Sequence, residues 1–301
     1  MRIVAALGGN ALLRRGEPLE AGTQRANIAA AAAALAPLAV QHQLVVTHGN
    51  GPQIGLLALQ SASYRGVQPY PLDILGAESE GMIGYLLEMA LAGVLPEREI
   101  VTLLTQVEID PADPALNNPN KPIGPVYDAA EARRLARDQS WMMMHDGDGW
   151  RRAVASPEPR RIREIGAIKI LVEAGAIVIC GGGGGVPVVT TPGHGIRGVE
   201  AVIDKDLAAA LLAQSIGADV LLLLTDVAVV WTRWPADEGR PIGHTTPAAL
   251  RAMSFAPGSM APKVEAACRF VEATRRRAAI GAIGEAAAIL DGSAGTAIAV
   301  T

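Results

Sequence analysis

The chain of 301 residues is poor in aromatics, cysteine and lysine, and each shortage removes a class of explanation. Phe, Trp and Tyr supply only 3% of the residues while 50% are hydrophobic, so a core has to be assembled from Ala, Val, Leu and Ile. The two cysteines, Cys180 and Cys268, form no CxxC pair and lie among apolar or helical neighbours. That is the pattern of reduced, buried thiols in a cytoplasmic protein, not of a disulfide framework. No apolar run free of glycine and charge is long enough to span a membrane, and the opening run of residues 1–7 is closed by Gly8, too early for a signal peptide. The five histidines, at positions 42, 48, 145, 194 and 244, have no zinc-ligand spacing. A net charge of −4 argues against a nucleic-acid binder, whose phosphate contacts usually require a concentrated basic face. No Gly-Lys dipeptide occurs, which removes the P-loop NTPases.

The lysine shortage is the most informative. Of 26 basic residues only four are lysines, Lys121, Lys169, Lys205 and Lys263; the others are arginines. An arginine presents a planar fork, whereas an ammonium is a compact charge with three donors that can follow a phosphoryl group as it moves. Scarcity alone is equally well explained by codon bias, so position must decide.

What is present is a βαβ rhythm. Strand-like runs at residues 3–7, 44–48, 100–107, 176–180, 220–225 and 296–300 alternate with helical patterns at 25–38, 78–91, 162–173, 206–216 and 262–277. The alternation predicts an α/β fold with a mostly parallel sheet and helices on both faces. In such a fold ligands bind beyond the carboxyl ends of the strands. Residues 111–159 break the rhythm with seven of the chain's 20 prolines and read as a small protruding subdomain; Asp146-Gly147-Asp148-Gly149 predicts a hairpin tip within it. Met142, Met143 and Met144 read as packing under that hairpin, with a hydrophobic cap as the alternative. Arg275, Arg276 and Arg277 read as a solvated helix end.

Four glycine-rich turns follow or nearly follow strands: Gly8-Gly9-Asn10, Gly49-Asn50-Gly51, residues 181–185 and residues 195–198. Glycines let backbone amides converge on an anion, and a following helix adds its positive end. Gly49, Gly51 and Gly55 with Asp73 also approach a dinucleotide fingerprint, although Pro52 sits inside that turn. Lys263, just after Pro262, falls in a first helical turn, where a cation opposes the helix dipole unless an anion is bound. Lys205 lies between Asp204 and Asp206 at another helix start. Either carboxylate could hold Mg²⁺ through water, Asp206 could cap the helix or orient a lysine, and the triplet could equally be a capped surface turn. Lys121 lies in a loop stiffened by Pro119, Pro122 and Pro125. Lys169, among isoleucines in a helix, is assigned a structural or surface role.

In these segments the chain resembles the carbamate kinases of the amino acid kinase superfamily. The resemblance runs through Ala6-Leu7-Gly8-Gly9-Asn10, His48-Gly49-Asn50-Gly51-Pro52-Gln53, Gly81-Met82-Ile83-Gly84, Lys121-Pro122-Ile123-Gly124-Pro125, Ile203-Asp204-Lys205-Asp206, Leu224-Thr225-Asp226-Val227 and Phe255-Ala256-Pro257-Gly258-Ser259-Met260, then Lys263. It covers the chain from first strand to last. Glu80 stands where such proteins usually carry Gln, Ala261 where they carry Gly, and residues 230–235 differ from the usual aromatic and glycine pattern; these departures bear on nucleotide affinity and dimer packing.

The resemblance implies a three-layer αβα sandwich in two lobes. Residues 1–200 would hold carbamate or carbamoyl phosphate and residues 201–301 ATP or ADP, with Mg²⁺, in a cytoplasmic homodimer with no nucleic-acid or membrane partner. It implies reversible phosphoryl transfer between ATP and carbamate, run toward ATP in arginine catabolism. Lys121, Lys205, Lys263 and Asp206 would be catalytic, and Gly8, Gly9, Asn10, Gly49, Asn50 and Gly51 would cradle the acyl phosphate. The nucleotide would contact Asp204, Lys205, Thr225, Asp226, Met260 and Lys263, with Mg²⁺ held mainly by phosphates and water. Two rivals stay open, another acyl-phosphate kinase acting on an amino-acid carboxylate and a non-catalytic nucleotide-binding regulator. The first predicts a carboxylate-pairing arginine near Gly49 and the second the loss of a lysine, and neither feature is found. A dehydrogenase would need a hydride-transfer site that the residues do not offer.

Overall fold

In the computed structural model of the chain, residues 1–14, 16–64, 66–191, 193–233, 239–255 and 260–300 are described. Residues 256–259 of the motif before Met260, and residues 234 and 235 of the divergent stretch, lie outside them. The chain runs β1 (Arg2–Leu7), α1 (Gly9–Leu12), α2 (Ala21–Gln41), β2 (Gln43–His48), α3 (Gly51–Ser63), α4 (Leu72–Val94) and β3 (Ile100–Leu103). Next come β4 (Gln106–Ile109), β5 (Lys121–Tyr127), α5 (Ala129–Gln139), β6 (Met143–Asp146), β7 (Gly149–Val154), β8 (Pro159–Ile162), α6 (Ile165–Glu173) and β9 (Ile177–Cys180). β10 (Val186–Thr191) and β11 (Gly195–Gly198) lead to α7 (Lys205–Ser215) and β12 (Val220–Thr225). The chain closes with β13 (Val230–Trp231), β14 (Pro241–Ile242), β15 (His244–Thr245), α8 (Pro247–Arg251), α9 (Met260–Thr274), β16 (Arg277–Ala282), α10 (Ala286–Asp291) and β17 (Thr296–Ile298).

The main sheet has the order β15-β17-β16-β12-β1-β2-β9-β3, and every neighbouring pair is parallel except β16 and β17. Its strands alternate between two cores. Val4 and Ala6 of β1 join one hydrophobic cluster with residues of α6, α7 and α9, whereas Ile3, Ala5 and Leu7 join the other with residues of α2, α4 and α10. Helices therefore cover both faces, giving the expected three-layer sandwich. Strands preceding residue 200 fill one half of this sheet and strands following it fill the other, the halves meeting where β1 pairs with β12.

Beside this sheet, β11-β10-β4-β8 forms a second sheet and β5-β7-β6 a third. The third carries the expected hairpin: Asp146 pairs with Gly149, and Gly147 at the tip has φ +62°. Met143 and Met144 lie half-buried in β6, while Met142 is exposed. A third cluster, with Ile54, Leu72, Leu75, Ile123, Val154 and Val202, holds this subdomain on α3 and α4.

Three expectations are corrected. The single run 100–107 divides into β3 and β4, which belong to different sheets, because the chain turns at Thr105, whose amide and hydroxyl bind Glu80 and the Leu103 carbonyl. The run 195–198 is no phosphate turn but β11, antiparallel to β10. The last helix stops at Thr274, with Arg275 at φ +61°, and Arg277 opens β16, which fills the place between β12 and β17. Arg276 there pairs with Asp219 and Arg277 donates to the Leu290 carbonyl, so these arginines are anchored and not merely solvated.

Candidate active site

The carboxyl ends of β2, β1 and β12 lie side by side and put the glycine turns next to one another. The Gly8 amide donates to the Leu224 carbonyl at 2.7 Å and the Gly49 amide to the Leu7 carbonyl at 2.9 Å, so both turns start in register. A Cβ on Gly49 would stand 3.0 Å from the Gly9 amide nitrogen and 3.3 Å from Lys205 Cδ; one on Gly8 would stand 3.2 Å from the Leu224 carbonyl oxygen. These positions are glycine because two backbones and a lysine stem share one narrow space. Asn10 follows in α1, and Asn50 precedes α3, whose second residue is Pro52. That proline, out of place in a dinucleotide turn, fits the start of a helix.

Asp204 organises the lysines. One of its carboxylate oxygens caps α7, accepting from the amides of Asp206 at 2.9 Å and Leu207 at 3.3 Å. The other accepts from Lys121 Nζ at 2.8 Å. Helix capping and ion pairing thus share one residue, and the lysine arrives from the protruding subdomain. Asp206, with a side chain 4% exposed, takes Lys205 on one oxygen and Lys263 on the other, the latter at 3.3 Å. Three lysines spread over 142 positions of the chain therefore meet on two neighbouring carboxylates. Lys169, on α6, lies outside this group.

Burial and charge act in opposition here. Burial pushes the Asp204 carboxyl up, but the Lys121 ammonium and then Lys205 outweigh it and hold the group below the usual carboxylate range. Burial pulls Lys205 down, Asp206 pulls it up, and the Lys263 charge pushes it down again, leaving it below the ordinary lysine value. Lys263 is pulled down by burial as well, yet Asp206, Asp204 and Asp226 together raise it. Repulsion between Lys205 and Lys263 is what an incoming anion would relieve.

Lys121 depends on a contact far from its own end. A Cβ on Gly55 of α3 would overlap the backbone of Gly124 in β5, and Gly124 itself has φ +78°. Two glycines thus let the strand bearing Lys121 press against the helix that follows Gly49 to Gly51. Gly55, the third glycine of the apparent dinucleotide fingerprint, has this packing role. Arg151 braces the same turn by donating to the Gly124 carbonyl at 2.9 Å.

On the other side, Thr225 ends β12 and donates its hydroxyl to Asp226 at 3.0 Å. Its Oγ1 is 3.5 Å from where a Cβ on Gly8 would stand. Met260 opens α9 and packs on the hydrophobic cluster beneath that helix. The described residues gather no three His, Cys, Asp or Glu side chains able to hold a metal ion. The carboxylates of Asp204 and Asp206 already carry lysines.

Ser79 and His48 were given no role by the sequence, and Glu80 was marked only as a departure from the family pattern. Asn50 Nδ2 donates to Ser79 Oγ at 2.8 Å, and Glu80 next to it accepts from the Gly182 amide at 2.9 Å and the Thr105 amide at 3.2 Å. Ser79 and Glu80 are buried on the stripe of α4 shared with Leu72, Leu75, Ile83 and Leu87. A polar pair on an apolar stripe was the available signal. His48 is fully buried, its Nδ1 at 3.2 Å from the Gly49 carbonyl, while Nε2 has no hydrogen-bond partner among the described residues. Burial pushes its pKa down to about 4, so it is neutral.

The chain is similar to known proteins over nearly its whole length. Residues 1–281 match the amino acid kinase family. A carbamate kinase of Rhizobium meliloti is 56% identical over 99% of this chain and 93% of its own length. The solved carbamate kinase of Giardia lamblia bound to citric acid superposes with a TM-score of 0.94 at 38% identity, covering 100% of this chain and 98% of the other. The same enzyme bound to AMP-PNP gives 0.89 at the same identity and coverage. By this match in sequence and fold the chain belongs to the amino acid kinase family and, within it, to the carbamate kinases.

Proposed function

We propose that this chain transfers a phosphoryl group reversibly between ATP and carbamate, giving ADP and carbamoyl phosphate, with ATP formation as the useful direction. The observation that carries the reading is the convergence of Lys121, Lys205 and Lys263 on Asp204 and Asp206 beside the turns at Gly8 and Gly49. Carbamate is already an anion and needs no general base. The site has instead to align two oxygens on phosphorus and offset charge spread over the moving group.

Residues 1–200 hold the carbamoyl substrate, whose phosphate lies against the amides of Gly8, Gly9, Asn10, Gly49, Asn50 and Gly51. Residues 201–301 hold the nucleotide near Thr225, Asp226 and Met260, with Mg²⁺ arriving on its phosphates and supplying further charge neutralisation. Lys263 spans the β and γ phosphates, Lys205 supports them, and Lys121 reaches the transferring group from the subdomain. Asp206 keeps Lys205 and Lys263 apart and aimed, and Asp204 does the same for Lys121. An AMP-PNP complex of the Giardia relative supports a nucleotide partner of the ATP class. In the reverse direction a β-phosphate oxygen of ADP attacks phosphorus, the P–O bond to the carbamoyl group breaks, and carbamate leaves with the bond electrons.

The chain acts as a homodimer. Ile74, Tyr85 and Met89 lie on one side of α4 and are 43%, 56% and 44% exposed, an apolar face suited to a second copy. Light scattering tests this: Tyr85→Glu should halve the particle mass, and a wild-type chain of monomer mass would refute it. Formation of ATP from ADP and carbamoyl phosphate, with acetyl phosphate as the comparison donor, tests the activity.

A further inference from the structure

The turn at residues 181–185 connects the two parts of the site, and its anchoring is built from buried groups. The Gly181 amide donates to Thr105 Oγ1 at 2.8 Å, and its carbonyl accepts from Thr47 Oγ1 at 2.7 Å. The Gly182 amide goes to Glu80. Beyond it, a Cβ on Gly183 would overlap the Asn50 side-chain amide, and a Cβ on Gly184 would stand 2.7 Å from the Ile203 carbonyl oxygen. Asn50 belongs to the phosphate turn, and Ile203 immediately precedes Asp204. The turn therefore fits between the two elements that position the substrate amides and the lysines.

We propose that Glu80 is a positioning residue for the transfer reaction, holding the 181–185 turn in the place that packs Gly183 on Asn50 and Gly184 on Ile203. Glu80 is 1% exposed, and its two oxygens take one amide each, from Gly182 and Thr105. It is the attachment between α4 and the turn, as Ser79 is between α4 and Asn50.

Burial pushes the Glu80 pKa up to about 8, against the opposing pull of the Thr105 and Gly182 hydrogen bonds, and the Glu164 carboxylate adds repulsion. Around it, His48 on β2 is neutral, and the Cys180 thiol on β9 is pushed up by burial and so stays protonated. The nearby Lys205 charge acts on His48. Because burial outweighs the amides, the packed turn favours the protonated acid. Ionisation then favours any arrangement that lets water reach the carboxylate. The turn should be held at neutral pH and released as pH rises through about 8. Gln at this position keeps the size and one acceptor but has no proton to lose.

This inference rests on the proposed reaction, so its test has one arm that does not. KM for carbamoyl phosphate and for ADP, and kcat, are measured from pH 7 to 9.5 in wild type and Glu80→Gln. Wild-type KM for carbamoyl phosphate should rise at least about threefold over that range as the competent fraction falls. Glu80→Gln should give a flat profile. In parallel, amide hydrogen exchange of residues 181–185, corrected for intrinsic rates and run without substrate, should quicken in wild type as pH passes about 8 and not in Glu80→Gln. An equal pH response in both proteins, or none in wild type, would overturn the role of Glu80. Absence of turnover with a normal exchange result would instead count against the reaction.

Discussion

Three lysines and two aspartates form a unit in which each charge explains the placement of another. Lys205 and Lys263 can stand together because Asp206 lies between them, and Lys121 is drawn to the same corner by the oxygen of Asp204 that α7 does not use. Replacing Lys121 or Lys263 by Met should lower kcat at least tenfold, about 1.4 kcal/mol of barrier, whereas Lys169→Met should leave it within about twofold. Steady-state kinetics of the three variants checks this, and equal losses in all three would contradict the division. Much of this unit was legible in the sequence, because lysine is rare here and three of the four stand at or near the starts of elements, Lys121 opening β5, Lys205 opening α7 and Lys263 in the first turn of α9. Which carboxylate serves which lysine was not legible, since Lys121 and Asp204 are 83 positions apart and meet only through the packing of the subdomain.

At the scale of elements, α3 and β5 show how a distant contact sets a reacting group. Alanine is favoured over glycine in a helix by about 1 kcal/mol, but at Gly55 its Cβ would enter the backbone of Gly124. Overpacking of that kind costs about 1–3 kcal/mol or displaces the strand, and here the strand carries Lys121. Gly55→Ala should therefore reduce kcat on the order of 100-fold for a shift of about 1 Å, with a far smaller change in KM for ADP. Unchanged kcat would show that Lys121 does not depend on this contact. The main strands and helices were legible from their apolar periods. β16 was not, because Arg277 opens it and Ala278, Ala279 and Gly281 give it a weak strand signal. The division of β3 from β4 was hidden too, since the turn, with Leu104 exposed and Thr105 buried on Glu80, carries no glycine or proline mark.

For the whole molecule, two buried titratable groups bound the pH range of stability. His48 has a folded pKa lowered to about 4 from an ordinary 6.5, so its contribution is present above 6.5 and lost as pH falls toward 4. Glu80 is raised to about 8 from an ordinary 4.5, so its contribution is present below 4.5 and lost as pH rises through 8. Thermal unfolding between pH 6 and 9 should show wild type losing stability relative to Glu80→Gln as pH rises; parallel curves would contradict the assignment. The two halves of the sheet meet at β1 and β12, and the chemistry is assigned to that junction. The measurement that tests this most directly is a coupled assay for ATP made from ADP and carbamoyl phosphate with Mg²⁺, run beside acetyl phosphate and acetylglutamyl phosphate. ATP should form from carbamoyl phosphate in clear preference to the other two donors; no ATP from carbamoyl phosphate, or a preference for acetylglutamyl phosphate, would overturn the assignment.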